Sequence, residues 1–130
     1  MRFALLLLLC AIFGCAVGEW YFVTGQLQCG NLPAIGVKVM LYDDENVDGV
    51  IDYLDQLVEE QITRFDGLFK LKGKTYLDAA ILVHHDCNNQ TTPTTLNIFI
   101  SEKYISSHLH GQDVYIGVYN LLNNITQINL

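Results

Sequence analysis

The chain has 130 residues, 51% of them hydrophobic, and its 14 acidic against seven basic side chains give a formal net charge of −7. That length and apolar content suit one domain with a real core. The acidic balance, with no basic patch visible along the chain, sets nucleic acid aside as a partner, because a phosphate backbone would be repelled.

In chain order, residues 1–18 read as a secretory signal peptide. Met1-Arg2 is a short basic start, Phe3 to Phe13 an almost unbroken apolar run, and Ala16-Val17-Gly18 supplies small residues ahead of a cut before Glu19. The apolar run is shorter than the roughly 20 residues that span a bilayer, and no later stretch reaches that length, so no membrane span is expected. Cleavage would leave one domain, 19–130. It would remove Cys10 and Cys15 and leave Cys29 and Cys87 as the remaining cysteines. Three outcomes are open to them: a bond to each other, bonds to another chain, or burial as thiols. The oxidising secretory route favours the first. An unstrained bridge over so long a loop would contribute about 3–4 kcal/mol.

From there the hydrophobic period is mostly two. Trp20 to Gln28 alternates as a first strand. Asn31-Leu-Pro-Ala-Ile-Gly36 is a turn, with Pro and Gly as breakers. Val37 to Tyr42 is a second strand, and an acidic loop runs from Asp43 to about Asp55. Gln56 to Arg64 reads as a third strand, with a short helical turn over Asp55 to Glu60 as the alternative. Phe65-Asp66-Gly67 signals a tight turn, across which Leu68 to Leu71 is expected to pair back. Ala79 to His85 is the most hydrophobic strand and should be central. Thr94 to Ile100 places Leu96, Ile98 and Ile100 on one face and Asn97 and Phe99 on the other. Lys103 to Gln112 is a polar connection, and Asp113 to Leu121 the last strand. About seven short strands separated by turns point to an all-β, antiparallel β-sandwich. Its aromatic residues should fill core and rim. Tyr115 and Tyr119, two strand periods apart, would share one face.

Several motifs carry possible chemistry. Asp44 to Asp55 fits a twelve-residue calcium loop, with Asp44, Asn46, Asp48, the Val50 carbonyl, Asp52 and Asp55 as oxygen donors and Gly49 at the turn. Asp55 is shorter than the usual glutamate, and a strand rather than a helix precedes the loop. A solvated acidic loop is therefore the first reading, calcium binding in the extracellular millimolar class is the upper bound, and no other cofactor is expected. Asn89-Gln-Thr91 and Asn124-Ile-Thr126 are glycosylation sequons, the first in an exposed polar stretch. His84-His85 and His108-Leu-His110 lack a third zinc partner at a defining spacing and read as loop or edge residues. Glu59 and Glu60 would point to opposite faces of a strand, and Ser101, Ser106 and Ser107 have no nucleophile-elbow context. No catalytic residue is assigned. Together the export signal, acidic surface and absent catalytic set indicate a secreted, extracellular, non-enzymatic binding or signalling module acting through an unknown protein or lipid partner.

The same segments, in order over 23–121, resemble the transthyretin-like family of secreted nematode proteins. The matching elements are Val23-Thr-Gly-Gln-Leu-Gln-Cys29, then Pro33 and Val37-Lys-Val-Met-Leu-Tyr-Asp43. Asp66-Gly-Leu-Phe-Lys-Leu-Lys-Gly73, His85-Asp-Cys-Asn88 and Tyr104-Ile105 follow, and Val114-Tyr-Ile-Gly-Val-Tyr-Asn-Leu121 approximates the family's final strand. The chain departs from the pattern at Ser101, where a proline is usual, and in lacking a cysteine over Gln127 to Leu130. The resemblance implies a transthyretin-type, immunoglobulin-like sandwich and a Cys29–Cys87 bond. By analogy with transthyretin it also raises a carrier of small hydrophobic ligands as the alternative function. The fold's 5-hydroxyisourate hydrolase branch is further off, since its Tyr-Arg-Gly-Ser-type ending has no counterpart in Asn124-Ile-Thr-Gln-Ile-Asn-Leu130.

Overall fold

The computed structural model describes residues 20–44, 56–74, 78–87 and 94–130. The strands are β1 (Trp20–Cys29), β2 (Leu32–Pro33), β3 (Lys38–Asp44), β4 (Gln56–Ile62), β5 (Leu68–Lys74), β6 (Asp78–His85), β7 (Thr94–Ile100), β8 (Leu109–His110), β9 (Asp113–Asn120) and β10 (Gln127–Asn129). A helix α1 (Glu102–His108) and a 3-10 turn (Leu121–Asn123) complete the description. In the first sheet, β1 runs between β5, antiparallel to it, and β9, parallel to it. β2 pairs with the last residues of β1, and β8 lies outside β9. The second sheet has the order β10-β7-β6-β3-β4.

The sandwich expected from the period-two pattern is therefore present, and the pattern explains why it closes. Tyr21, Val23 and Leu27 of β1, Leu71 of β5 and Val114 of β9 point inward. They meet Val39 and Leu41 of β3, Ile81 and Val83 of β6, and Leu96, Ile98 and Ile100 of β7. Each such side chain is almost wholly buried and contributes about 1.5–3 kcal/mol of transfer free energy. As expected, β6 sits at the centre of its sheet, between β3 and β7. Gly25 takes an inward position on β1 because the Phe69 ring occupies its side-chain space. A Cβ there would stand 2.6 Å from Phe69 Cζ.

Four features differ from the sequence reading. Two ladders are parallel, β1 with β9 and β10 with β7. β4 and β5 do not form a hairpin: the turn between them closes, Gly67 N donating to Arg64 O at 2.9 Å, but β4 pairs with β3 and β5 with β1. Thr63, just after β4, keeps the exit of β4 beside the start of β3: its buried side chain bonds to the chain at Ala34 and Val37. The polar connection after β7 contains α1. Ser101 caps it, its Oγ accepting from Tyr104 N at 3.1 Å; Glu102 lies in the first turn and Ile105 is buried. Finally, β9 carries a bulge. Its register with β1 shifts between Thr24 and Gln26, and Gly117 has φ +108°. Tyr115 lies before the bulge and faces outward opposite Thr24, 56% exposed, whereas the extra residue turns Tyr119 inward against the core. The two tyrosines do not share a face.

Candidate functional site

At the end of the sandwich where β1 finishes and β3 begins, two connections are bound into one unit. Leu27 of β1 accepts from Ala34 N and donates to Gly67 O, both at 2.9 Å. Thr63 N donates to Val37 O at 2.9 Å, and Gly36 N to Thr63 O at 3.2 Å. The Thr63 hydroxyl accepts from Val37 N at 2.9 Å and donates to Ala34 O at 2.6 Å. The Gln26 side chain donates to Asp66 O at 2.9 Å, and Leu68 N to the Asp66 carboxylate at 3.1 Å. Gly67 completes the fit with φ +77°. A Cβ there would stand 2.3 Å from Leu27 O, so no other residue fits without displacing the backbone.

With its backbone polar groups satisfied in this way, the unit turns large apolar side chains to solvent. Phe65 is 73% exposed, Leu32 71%, Ile35 63% and Ile62 58%. The Arg64 guanidinium lies 5.8 Å from the Phe65 ring centre. Leu122, also exposed, reaches the same end beside Gly30, whose N donates to Asn120 Oδ1 at 3.0 Å. Singly exposed apolar residues are ordinary, but a cluster on tied turns is the pattern of a recognition surface. What such side chains offer chemically is apolar surface that can be buried.

The Cys29–Cys87 disulfide sits at the same end, with Cα atoms 5.7 Å apart, and joins β1 of the first sheet to the chain just after β6 of the second. Beside it His85 is 5% exposed, and Cys87 N donates to its Nδ1 at 3.3 Å. Burial pushes the His85 pKa below its ordinary 6.5, partly countered by Asp86. At the opposite end the buried Tyr21 hydroxyl is pushed well up by burial and, second, by the Asp43 charge. Tyr119, which donates to Ile116 O, is raised by burial first and then by Tyr104 and Tyr115.

The remaining sequence-derived residues are scattered. The calcium-loop positions from Asn46 to Asp55 lie outside the described residues; Asp44 ends β3. Among the described residues no group of three or more His, Cys, Asp or Glu is placed to hold a metal ion. Asn89 also lies outside them, and Asn124 is exposed at φ 56° after the 3-10 turn. His108 stacks on Tyr104, ring centres 3.8 Å apart, with Nδ1 at 3.0 Å from Tyr104 O, while His110 is exposed in β8. Glu59 joins the two sheets, accepting from Lys72 N of β5 and from Gln61 Nε2. Glu60 pairs with Lys38 at 3.0 Å. No helix of the described residues is long and apolar enough to cross a membrane. Sequence reasoning did not single out Leu32, Ile35 or Ile62. The signal was there: large aliphatic residues inside a Pro/Gly turn and at the exit of a strand, where polar residues are usual.

The family model TTR-52, Transthyretin-like family, matches residues 24–101. Transthyretin-like protein 5 of Caenorhabditis elegans is 34% identical over 99 residues, covering 72% of this chain and 68% of its own length. Transthyretin-like protein 33 of the same species is 32% identical over 124 residues, covering 89% and 84%. Among solved structures, the crystal structure of (S)-allantoin synthase aligns with 78% of this chain at a TM-score of 0.48 and 18% identity; the chain spans 39% of that protein.

Proposed function

The chain belongs to the transthyretin-like family, and from that premise we propose that it is a secreted, extracellular, non-enzymatic binding or signalling module that engages protein or lipid partners through its apolar end. The observation that carries this reading is the exposure of Leu32, Ile35, Ile62 and Phe65 on turns whose backbone is held by hydrogen bonds to β1 and to each other. Such a surface is already ordered before binding. Little conformational entropy is then lost when a partner covers it. Export would follow removal of 1–18, and a cross-sheet disulfide suits an oxidising destination.

The test compares the oxidised 19–130 protein with its Leu32→Ser/Phe65→Ser variant, both incubated with extracellular fluid and, separately, with phosphatidylcholine vesicles. Burying these two side chains is worth about 1.5–3 kcal/mol each. The variant is therefore expected to lose at least about tenfold in affinity for whichever partner the wild type retains, with its unfolding unchanged. Identical retention by the two proteins, or no retained partner at micromolar concentration, contradicts the proposal. Vesicle binding that the variant loses assigns the surface to lipid. A protein band that the variant loses assigns it to protein.

A further inference from the structure

The outer face of the first sheet has a different chemistry, unrelated to the apolar end. Lys70 and Lys72 alternate along β5, so both side chains leave the same face of the sheet, about 6.7 Å apart along the strand. Lys74 follows at the next alternate position, opposite Trp20 in the register. Across the ladder the pairs are Phe22 with Lys72 and Thr24 with Lys70. The ammonium groups lie over the rings diagonal to them: Lys70 Nζ is 4.4 Å from the Phe22 ring centre, and Lys72 Nζ 4.5 Å from that of Trp20. Ring and ammonium attract each other, which restrains two otherwise flexible side chains. On the other side of β1, Tyr115 of β9 stands beside Thr24 on this face, outward by the alternation that buries Val114 and Ile116.

A chain with twice as many acidic as basic residues thus gathers lysines at alternate positions of one strand, over aromatic rings. Asp113, exposed and in register with Phe22, borders the face at its β9 corner; Glu59 lies at its β5 edge. The edge itself is closed to strand addition at Lys72, whose backbone N already donates to Glu59. An extended acidic peptide pairing along β5 therefore does not fit, and recognition must use the flat face. The cations are all lysine, which acts as a point charge and lacks arginine's planar fork for carboxylates. Single anionic groups repeated along a chain, with rings between them whose C–H faces can lie against Trp20 and Tyr115, match that layout. We propose that this face docks an extended sulfated polysaccharide, the sulfate esters meeting Lys70 and Lys72 and the sugar rings meeting the aromatics.

The experiment uses an immobilised sulfated glycosaminoglycan, its desulfated counterpart, and vesicles of phosphatidylcholine and phosphatidylglycerol in equal amounts. Wild-type protein is expected to bind the sulfated chain and to be released by salt, because displaced counterions make such binding ionic-strength dependent. Lys70→Gln/Lys72→Gln should weaken binding by roughly tenfold or more. Lys70→Arg/Lys72→Arg should retain it. Lys38→Gln/Lys103→Gln, with the same change in net charge elsewhere, should also retain it. Tyr115→Ala should weaken it without altering the salt slope. The proposal is overturned by absence of binding at physiological salt, by equal binding to the desulfated chain, or by equal loss in the Lys38/Lys103 control. Lys70/Lys72-dependent binding to the vesicles but not to the polysaccharide likewise overturns it in favour of a membrane surface.

Discussion

Thr63 is the residue on which the apolar end turns. Its hydroxyl is buried and both accepts and donates, linking Val37 to Ala34. Thr63→Val keeps the shape and leaves a buried N–H and a buried carbonyl without this partner, which costs about 2–3 kcal/mol. Denaturant unfolding should report that loss, and a change below about 0.5 kcal/mol would contradict the role given to the hydroxyl. His85 makes the second prediction at this scale. Its folded pKa lies below its ordinary 6.5 because burial disfavours the charged ring. Above that value both the folded and unfolded rings are neutral, and the full stability is present. As pH falls through it, the unfolded chain takes up a proton that the folded chain resists, so stability declines until the folded value is passed. Protonation at Nδ1 also removes the acceptor for Cys87 N. Stability should therefore fall from neutral pH toward about pH 5, and His85→Gln should remove that part of the slope. Parallel profiles for the two proteins would refute the assignment.

Among the elements, strands whose alternation ends in burial were readable without a structure. β1, β3, β6 and β7 lie within a residue or two of where period two places them, because one face of each packs on the core. The helix α1 was not readable: seven residues carry too little periodicity, and what holds it is the Ser101 cap and buried Ile105. Ser101→Ala should cost about 1 kcal/mol. Amide exchange over 102–108 should then quicken about fivefold, whereas unchanged exchange would mean that packing alone holds the helix. The β9 bulge was equally hidden, since Gly117 looks like any strand glycine until its register with β1 is known. The lysine face shows the same limit. The alternation of Lys70, Lys72 and Lys74 is plain in the chain, but only the pairing of β5 with β1 sets Trp20 and Phe22 beneath it. Pairing partners distant in sequence leave no local trace, which is also why the β4–β5 hairpin was a natural misreading.

For the whole molecule, the two sheets are joined by their shared core, by Glu59 reaching from β4 to β5, and by the Cys29–Cys87 bond beside the apolar end. That bond closes a separation of 58 residues and, on the chain-entropy account, adds about 3–4 kcal/mol. The fold class and the cysteine pairing were thus accessible from composition, period and family resemblance, while the apolar end and the lysine face emerged only once the turns and ladders were assembled. The central claim is that the end carrying Leu32, Ile35, Ile62 and Phe65 is where partners bind. Hydroxyl-radical footprinting of the oxidised protein, once purified and once in extracellular fluid, tests it most directly. The account predicts protection of Phe65, Leu32, Ile35 and Ile62 in the fluid, with exposed Leu57 on the distant part of β4 unchanged. Equal labelling of the apolar end in both conditions would contradict it.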